Sequence, residues 1–274
     1  DNDNNRMNRR EFLKSGAVGI SAAPGLLLPD AERPAHAFSL GIATFSMREF
    51  SFDQMLDMCM RCGVRQIELK DLHLPLNSSE EIIKQVVTRC RQKGIEPYAA
   101  GVIYMKTKEA VDQAFEYAKT AGIGLIVAKP AKQLLQYVEE KVRRYDIRLA
   151  IHNHGPGDQS YPTALSAYEM IKHMDERMRL CIDIGHTMRM GMDPTQDLSD
   201  FSARIFDIHI KDVTAPAPEG RNCVIGKGVI DIRSFLKTVI DTRYNGVMAL
   251  EYEENASDPL PGIMESLGYV KGVQ

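Results

Sequence analysis

Four short stretches set imidazoles and carboxylates among aliphatic residues at alternate positions: Ile151-His152-Asn153-His154, Cys181-Ile182-Asp183-Ile184-Gly185-His186, Asp207-Ile208-His209-Ile210-Lys211-Asp212 and Leu250-Glu251-Tyr252-Glu253. Side chains on a strand alternate faces. His152 and His154 therefore share one face, and Asp207, His209 and Lys211 share another, with aliphatic residues turned away. One inward residue from each stretch gives His152, Asp183, His209 and Glu251. Two nitrogens and two oxygens around one point make a ligand set for a single divalent ion, and two carboxylates balance its charge. Such a set favours Mn²⁺ or Zn²⁺, with Co²⁺, Fe²⁺ or Mg²⁺ as further candidates, and suits Ca²⁺ poorly.

Distant ligands must be brought together by a repeating scaffold. From Leu40 onward, short β-rich runs alternate with helical patterns. Eight strands are expected at Leu40–Phe45, Arg65–Leu69, Pro97–Val102, Gly124–Lys129, Ile147–His152, Arg179–Ile184, Ile205–Ile210 and Val247–Tyr252. The intervening helices show apolar spacing, as at Ile82, Val86 and Cys90 or Val111, Phe115 and Ala118, with Ser78-Ser79 as a cap and Gly63, Gly94 and Gly122 as stops. Eight βα units close as a (β/α)8 TIM barrel, and residues 38–274 approach the ~250 residues usual for that fold. In such a barrel the reactive groups sit at strand C-termini, where the four polar stretches fall. An open doubly wound sheet is the alternative, but no G-x-G-x-x-G follows the first strand.

Residues 1–37 read differently. Asn8-Arg9-Arg10-Glu11-Phe12-Leu13-Lys14 precedes a small, apolar run from Gly16 to Leu28 and then Ala35-His36-Ala37. The pattern resembles a twin-arginine export signal with an A-x-A cleavage site, Met7 as a candidate start and a mature domain from Phe38. A bacterial periplasmic address is then expected, with a protein that is soluble once the signal is removed. A net charge of -3 and a pI near 6.2 argue against a nucleic-acid partner. Five cysteines at irregular spacing outline no disulfide framework, and Cys59-Met60-Arg61-Cys62 reads as helix packing rather than half of a zinc site. The expected partner is a small sugar or glycoside, and the sequence leaves room for a homo-oligomer.

Over essentially the whole expected domain, the chain resembles the xylose isomerase-like TIM barrels. The carrying marks are Asp183-Ile184-Gly185-His186, His209-Ile210-Lys211-Asp212, the loop Gly226-Lys227-Gly228-Val229-Ile230-Asp231, and Tyr244-Asn245-Gly246 leading into Leu250-Glu251. The resemblance implies metal ligation by Asp183, His209 and Glu251, and substrate contact by His186. One departure stands out: the fifth-strand ligand of the family is commonly a glutamate, whereas this chain has His152. A paired-glutamate proton relay is then lost, leaving Glu251 as one base and Glu68 or His154 as the second acid or base. Lys211, Lys129, Arg221 and Lys70 are candidates for holding substrate oxygens. Gly226-Lys227-Gly228 is a weak candidate for a phosphate nest.

The expected chemistry is proton abstraction beside a carbonyl that the ion chelates together with a neighbouring hydroxyl, giving a stabilised enediolate. Reprotonation makes an isomerase or epimerase of a keto sugar, the leading expectation; expulsion of a β-oxygen makes a lyase or hydratase acting on a 3-keto glycoside. A non-catalytic sugar-binding barrel is the alternative from another class. An abasic-site endonuclease would need more histidines on the earlier strands than His73 supplies.

Overall fold

The computed structural model describes residues 38–273, so the expected export segment lies outside the described residues. Strands β1 (Ser39–Ala43), β2 (Gln66–Leu69), β3 (Glu96–Met105), β4 (Leu125–Pro130), β5 (Arg148–His152), β6 (Met178–Asp183), β7 (Ile205–Ile210) and β10 (Val247–Leu250) are all parallel. They close into a barrel in the order β1-β10-β7-β6-β5-β4-β3-β2. Every expected strand overlaps one of these eight. Helices α1 (Phe52–Arg61), α2 (Glu80–Gln92), α3 (Lys108–Ala121), α4 (Leu135–Tyr145), α5 (Ala164–Ile171), α6 (Ile184–Arg189), α7 (Pro194–Phe201), α8 (Ile232–Asp241) and α9 (Leu260–Val273) fill the crossovers and the C-terminal end.

Local chemistry sets the helix boundaries. Ser51 and Gln54 form a reciprocal capping box at α1, Ser79 caps α2 by accepting from Ile82 N, and Thr107 caps α3 through Ala110 N. Gly122 ends α3 at φ 64°, a left-handed turn that a side chain would disfavour. The apolar face of α2 differs by one residue from the sequence expectation. Ile83, Val87 and Cys90 are buried, while Ile82 is 48% exposed, because the helix starts at Glu80 and its phase follows the cap.

The apolar core has two layers. The larger lies between barrel and helices and holds Ile42, Ile67 and Ile126 together with Ile151, Ile182, Ile208 and Ile210, the last four being residues expected to face away from the site. A smaller cluster inside the barrel is built from Ala99, Val102, Leu125, Val127, Ala150 and Cys181. Above it the inward side chains become polar. Gly101 keeps this interior narrow: a Cβ there would lie 2.5 Å from Val127 O and 2.9 Å from Glu68 Oε1.

Two features were not expected. Strand β3 runs on to Met105, which carries Tyr104 to the barrel mouth. After β7 the chain forms a small antiparallel ribbon, β8 (Asp212–Val213) with β9 (Asn222–Cys223), that lifts residues 214–221 over one side of the mouth.

Candidate functional site

Register places the four expected ligands side by side. Asp183 at the end of β6 pairs with His209 on β7, and His209 pairs with Ala249 on β10, two residues before Glu251. Glu251 is the first residue past β10, yet its N–H still donates to Ile210 O at 3.2 Å, so it keeps the inward parity of a strand residue. His152, Asp183, His209 and Glu251 are all buried, and one ligand atom from each lies within 4.8 Å of every other.

The donor atoms can be named. His152 Nε2 is 3.0 Å from His209 Nδ1 and 3.4 Å from Asp183 Oδ2. His209 Nδ1 is 3.3 Å from Glu251 Oε2 and 3.9 Å from Asp183 Oδ2. Ligands bound at about 2.0–2.2 Å stand roughly 3–4 Å from one another around an ion. Asp183 Oδ2 is buried with no aligned hydrogen-bond donor, and its partner is the Lys211 ammonium at 2.8 Å, so the oxygen already sits where positive charge is favoured. The residues present therefore fit a divalent ion.

Each ligand is oriented from behind. Asp183 Oδ1 accepts from His186 N at 2.7 Å, capping α6 and turning Oδ2 toward the imidazoles. Asn153 clamps the same corner, accepting from Asp183 N at 2.8 Å and donating to Asp183 O at 3.2 Å. His209 Nε2 lies 2.7 Å from Glu68 Oε2, which fixes Nε2–H as the donor and leaves Nδ1 for the ion. Beneath them, Tyr98 O–H donates to Asp207 Oδ1 at 2.8 Å. Burial and the Glu68 charge push the Asp207 carboxyl up to about 7.

Burial opposes charge throughout this layer, and the balance differs residue by residue. It drives His152 well below its ordinary value, leaving a neutral ligand at neutral pH. At His209 burial also opposes protonation, but Cys181, Glu68 and Glu251 outweigh it and hold the proton. Asp183 and Glu251 stay ionised against burial: His186 and Lys211 hold down the first, Lys211 and His209 the second. Lys211 remains an ammonium against burial through Asp183, Glu251 and Glu253. Its Nζ lies 2.8 Å from Asp183 Oδ2, 2.7 Å from Glu251 Oε2 and 2.6 Å from Glu253 Oε1. A cation is thus already built beside the ligand carboxylates.

The cavity above this centre measures 310 Å³ and is walled by Phe45, Lys70, Tyr104, His154, His186, Glu251 and Glu253 among others. His154 faces it with Nδ1 3.0 Å from His152 O and Nε2 3.1 Å from Tyr104 Oη. Burial and the Lys129 charge lower its pKa to about 4, so it is neutral at pH 7. Nδ1–H then serves the carbonyl, and Nε2 carries the lone pair. Lys70 Nζ donates to Val102 O at 2.5 Å.

Three expectations need correction. Glu68 is not at the cavity surface: at 1% exposure it lies behind His209, so it orients that imidazole rather than meeting substrate. Lys129 is tied to Asp158 and lies 5.6 Å over the Tyr104 ring, which places it in the outer wall. The loop at Gly226-Lys227-Gly228 offers no phosphate nest, because Gly226 N and Gly228 N donate to Asp212 Oδ2 at 2.9 and 3.0 Å, while Val213 N and Ile230 N donate to Oδ1. Arg221 lies on the β8–β9 ribbon side and lines a neighbouring cavity together with His186 and Lys211. Tyr104 and Glu253 were missed as wall residues. Glu253 had a signal, since it shares parity with Glu251; Tyr104 lay beyond the expected end of its strand.

Comparison with known proteins agrees with this architecture. Inosose dehydratase of Lacticaseibacillus casei is 25% identical over 143 residues, 46% of this chain and 47% of that protein, so the match spans about half the length of this curated relative. Among solved structures, an IolI protein with a bound zinc atom superposes with a TM-score of 0.71 at 18% identity, covering 86% of this chain and 98% of that one. A probable 3-DHS dehydratase from Bacillus anthracis does so with a TM-score of 0.69 at 16% identity, over 84% and 99%. At these identities the two structures establish the shared fold. The family profile described as xylose isomerase-like TIM barrel matches residues 36–272, and the chain belongs to that family.

Proposed function

We propose that this protein is a divalent-metal-dependent enzyme that abstracts a proton beside the carbonyl of an unphosphorylated keto sugar or glycoside, and that it completes the reaction as a lyase. His152, Asp183, His209 and Glu251 would hold the ion. When bound there, it would polarise a substrate carbonyl and lower the cost of negative charge on that oxygen. Glu251 supplies the base: Oε2 faces His209 and Lys211, while Oε1 makes no hydrogen bond among the described residues. Glu251 takes the proton, the carbon–hydrogen electron pair moves into the new double bond, the β carbon–oxygen bond breaks, and the departing oxygen takes the proton that Glu251 removed. Lys211 Nζ, held charged 2.7 Å from Glu251, is the cation that meets the departing oxygen. His154 Nε2 and Tyr104 Oη orient substrate hydroxyls on the opposite wall.

The observation that carries this reading is the pairing of the Glu251 carboxylate, whose Oε1 makes no hydrogen bond among the described residues, with the buried Lys211 ammonium. A base and a cation suit elimination, whereas reprotonation on the opposite face calls for a second base, and His152 stands where a second carboxylate would. The relationship to an inosose dehydratase supports the same outcome. The expected twin-arginine segment and the occupied amides of Gly226 and Gly228 support a substrate without phosphate.

The test incubates the zinc- or manganese-loaded protein in deuterium oxide with 3-keto glucosides and with free ketoses. Release of the aglycone together with an unsaturated keto sugar supports the lyase. Deuterium in a rearranged or epimerised ketose, without release, supports the isomerase or epimerase expected from the sequence. Neither, with sugar binding retained, supports a non-catalytic barrel.

A further inference from the structure

A second cavity of 360 Å³ adjoins the first, and both are bordered by His186 and Glu253. Each reaches the volume of a small-ligand pocket. Resting on the lyase reading above, we infer that the substrate carries a second hydroxylated ring and that this cavity receives it, with the scissile bond lying between His186 and Glu253.

The second cavity is a built site. Its outer wall is the 214–221 segment, raised by the β8–β9 ribbon and fastened at both ends. Arg189 Nη2 donates to Pro218 O at 2.8 Å, tying the wall to α6. Asn222 accepts from Glu253 N at 3.0 Å and donates to Asp212 O at 3.4 Å, tying it to the loop after β10. Two glycines let the wall pack closely: a Cβ at Gly185 would strike the Lys211 side chain at 2.6 Å, and one at Gly220 would meet Ala215 O at 2.3 Å.

Lining chemistry selects the occupant. Arg189, Arg221 and Lys211 bring cations, and Glu253 and Glu254 bring carboxylates. A phosphate or carboxylate would meet Glu253 and Glu254 as well as the cations; an apolar group would leave the Arg221 guanidinium without a partner. Hydroxyls both donate and accept, so a sugar ring satisfies both signs. The cavity also holds unused hydrogen-bonding capacity. The Arg221 guanidinium makes no side-chain hydrogen bond among the described residues while its backbone is pinned to Thr214. Beyond Arg189 the surface becomes apolar, with Met190, Pro216 and Pro218 bordering the next cavity, which limits the polar subsite to about one ring.

Two measurements test this. The first compares kcat/KM for a keto monosaccharide bearing a small leaving group with that for the matching keto disaccharide. The wild-type protein prefers the disaccharide by tenfold or more, Arg221→Ala lowers that ratio about tenfold, and Arg221→Lys restores part of it. A wild-type ratio near one, or a ratio unmoved by Arg221→Ala, overturns the inference. The second measures calorimetric binding of a thio-linked, unreactive disaccharide, with inorganic phosphate as competitor. Binding weakened about tenfold by Arg221→Ala supports the subsite even if neither substrate turns over, in which case the reaction proposed above fails and the subsite stands. No binding, or displacement by millimolar phosphate, overturns it.

Discussion

Glu68→Gln tests how far the site is supported from behind. The substitution keeps the shape of a side chain that is 1% exposed and retains an oxygen to accept from His209 Nε2, so the packing against Gly101 is preserved. What it removes is the charge in a 2.7 Å charge-assisted bond. Hydrogen bonds to charged groups exceed neutral ones by about 1 kcal/mol, roughly a fivefold to tenfold loss in affinity for the ion. A compensating effect lies next to it. Asp207 Oδ2 is 3.7 Å from His209 Nε2, and the Asp207 carboxyl titrates near 7 because of burial and the Glu68 charge. With Glu68 neutral, Asp207 ionises more readily and replaces part of the lost field. Glu68→Gln alone should therefore cost about fivefold in zinc affinity, and Glu68→Gln with Asp207→Asn tenfold or more, the latter within the range of about 10–100-fold for carboxylates that orient metal-bound histidines. Competition against a chromophoric chelator at pH 7.5 reads the affinity, and thermal unfolding of the ion-free variants checks the fold. Zinc affinity within twofold of wild type in both variants would refute the reasoning.

Lys211→Met should separate binding from turnover: removing an ammonium 2.8 Å and 2.7 Å from two ligand oxygens raises zinc affinity by tenfold or more, while kcat falls by at least ~100-fold for want of the cation at the departing oxygen. Chelator competition and steady-state kinetics read the two effects. Zinc affinity should rise with pH through neutrality, by up to tenfold per unit. The sign follows from His209, whose pKa is raised in the ion-free protein, so a bound ion must displace its proton; an affinity independent of pH contradicts this. Asp212→Asn should destabilise the fold by about 3 kcal/mol, since an amide NH₂ would oppose two of the four backbone N–H donors that the carboxylate now serves. Chemical denaturation measures it, and a loss below 1 kcal/mol counts against it.

What was legible in the sequence was whatever strand parity controls. Isoleucines at 151, 182, 208 and 210 alternate with polar residues, and that period fixed both the outer core and the convergence of His152, Asp183, His209 and Glu251. Parity states which face a residue takes but not how far along the barrel axis it sits. Glu68 was expected as a second acid or base and does face inward, yet it lies one layer too deep to meet substrate. Lys129 pairs with an aspartate on another loop, and Arg221 depends on a ribbon of two-residue strands too short to leave a periodic signal. The Gly226-Lys227-Gly228 turn looked available because its acceptor, Asp212, is 14 residues away from Gly226.

The most direct measurement is the metal content and coordination of the purified protein, determined by elemental analysis and X-ray absorption spectroscopy, with His152→Ala and Asp183→Asn as comparisons. One ion per chain with two imidazole nitrogens and carboxylate oxygens in its shell, lost or weakened at least a hundredfold in both variants, is the predicted result. Stoichiometric binding that survives both substitutions, or no tight binding of any divalent ion by the intact chain, would contradict the account.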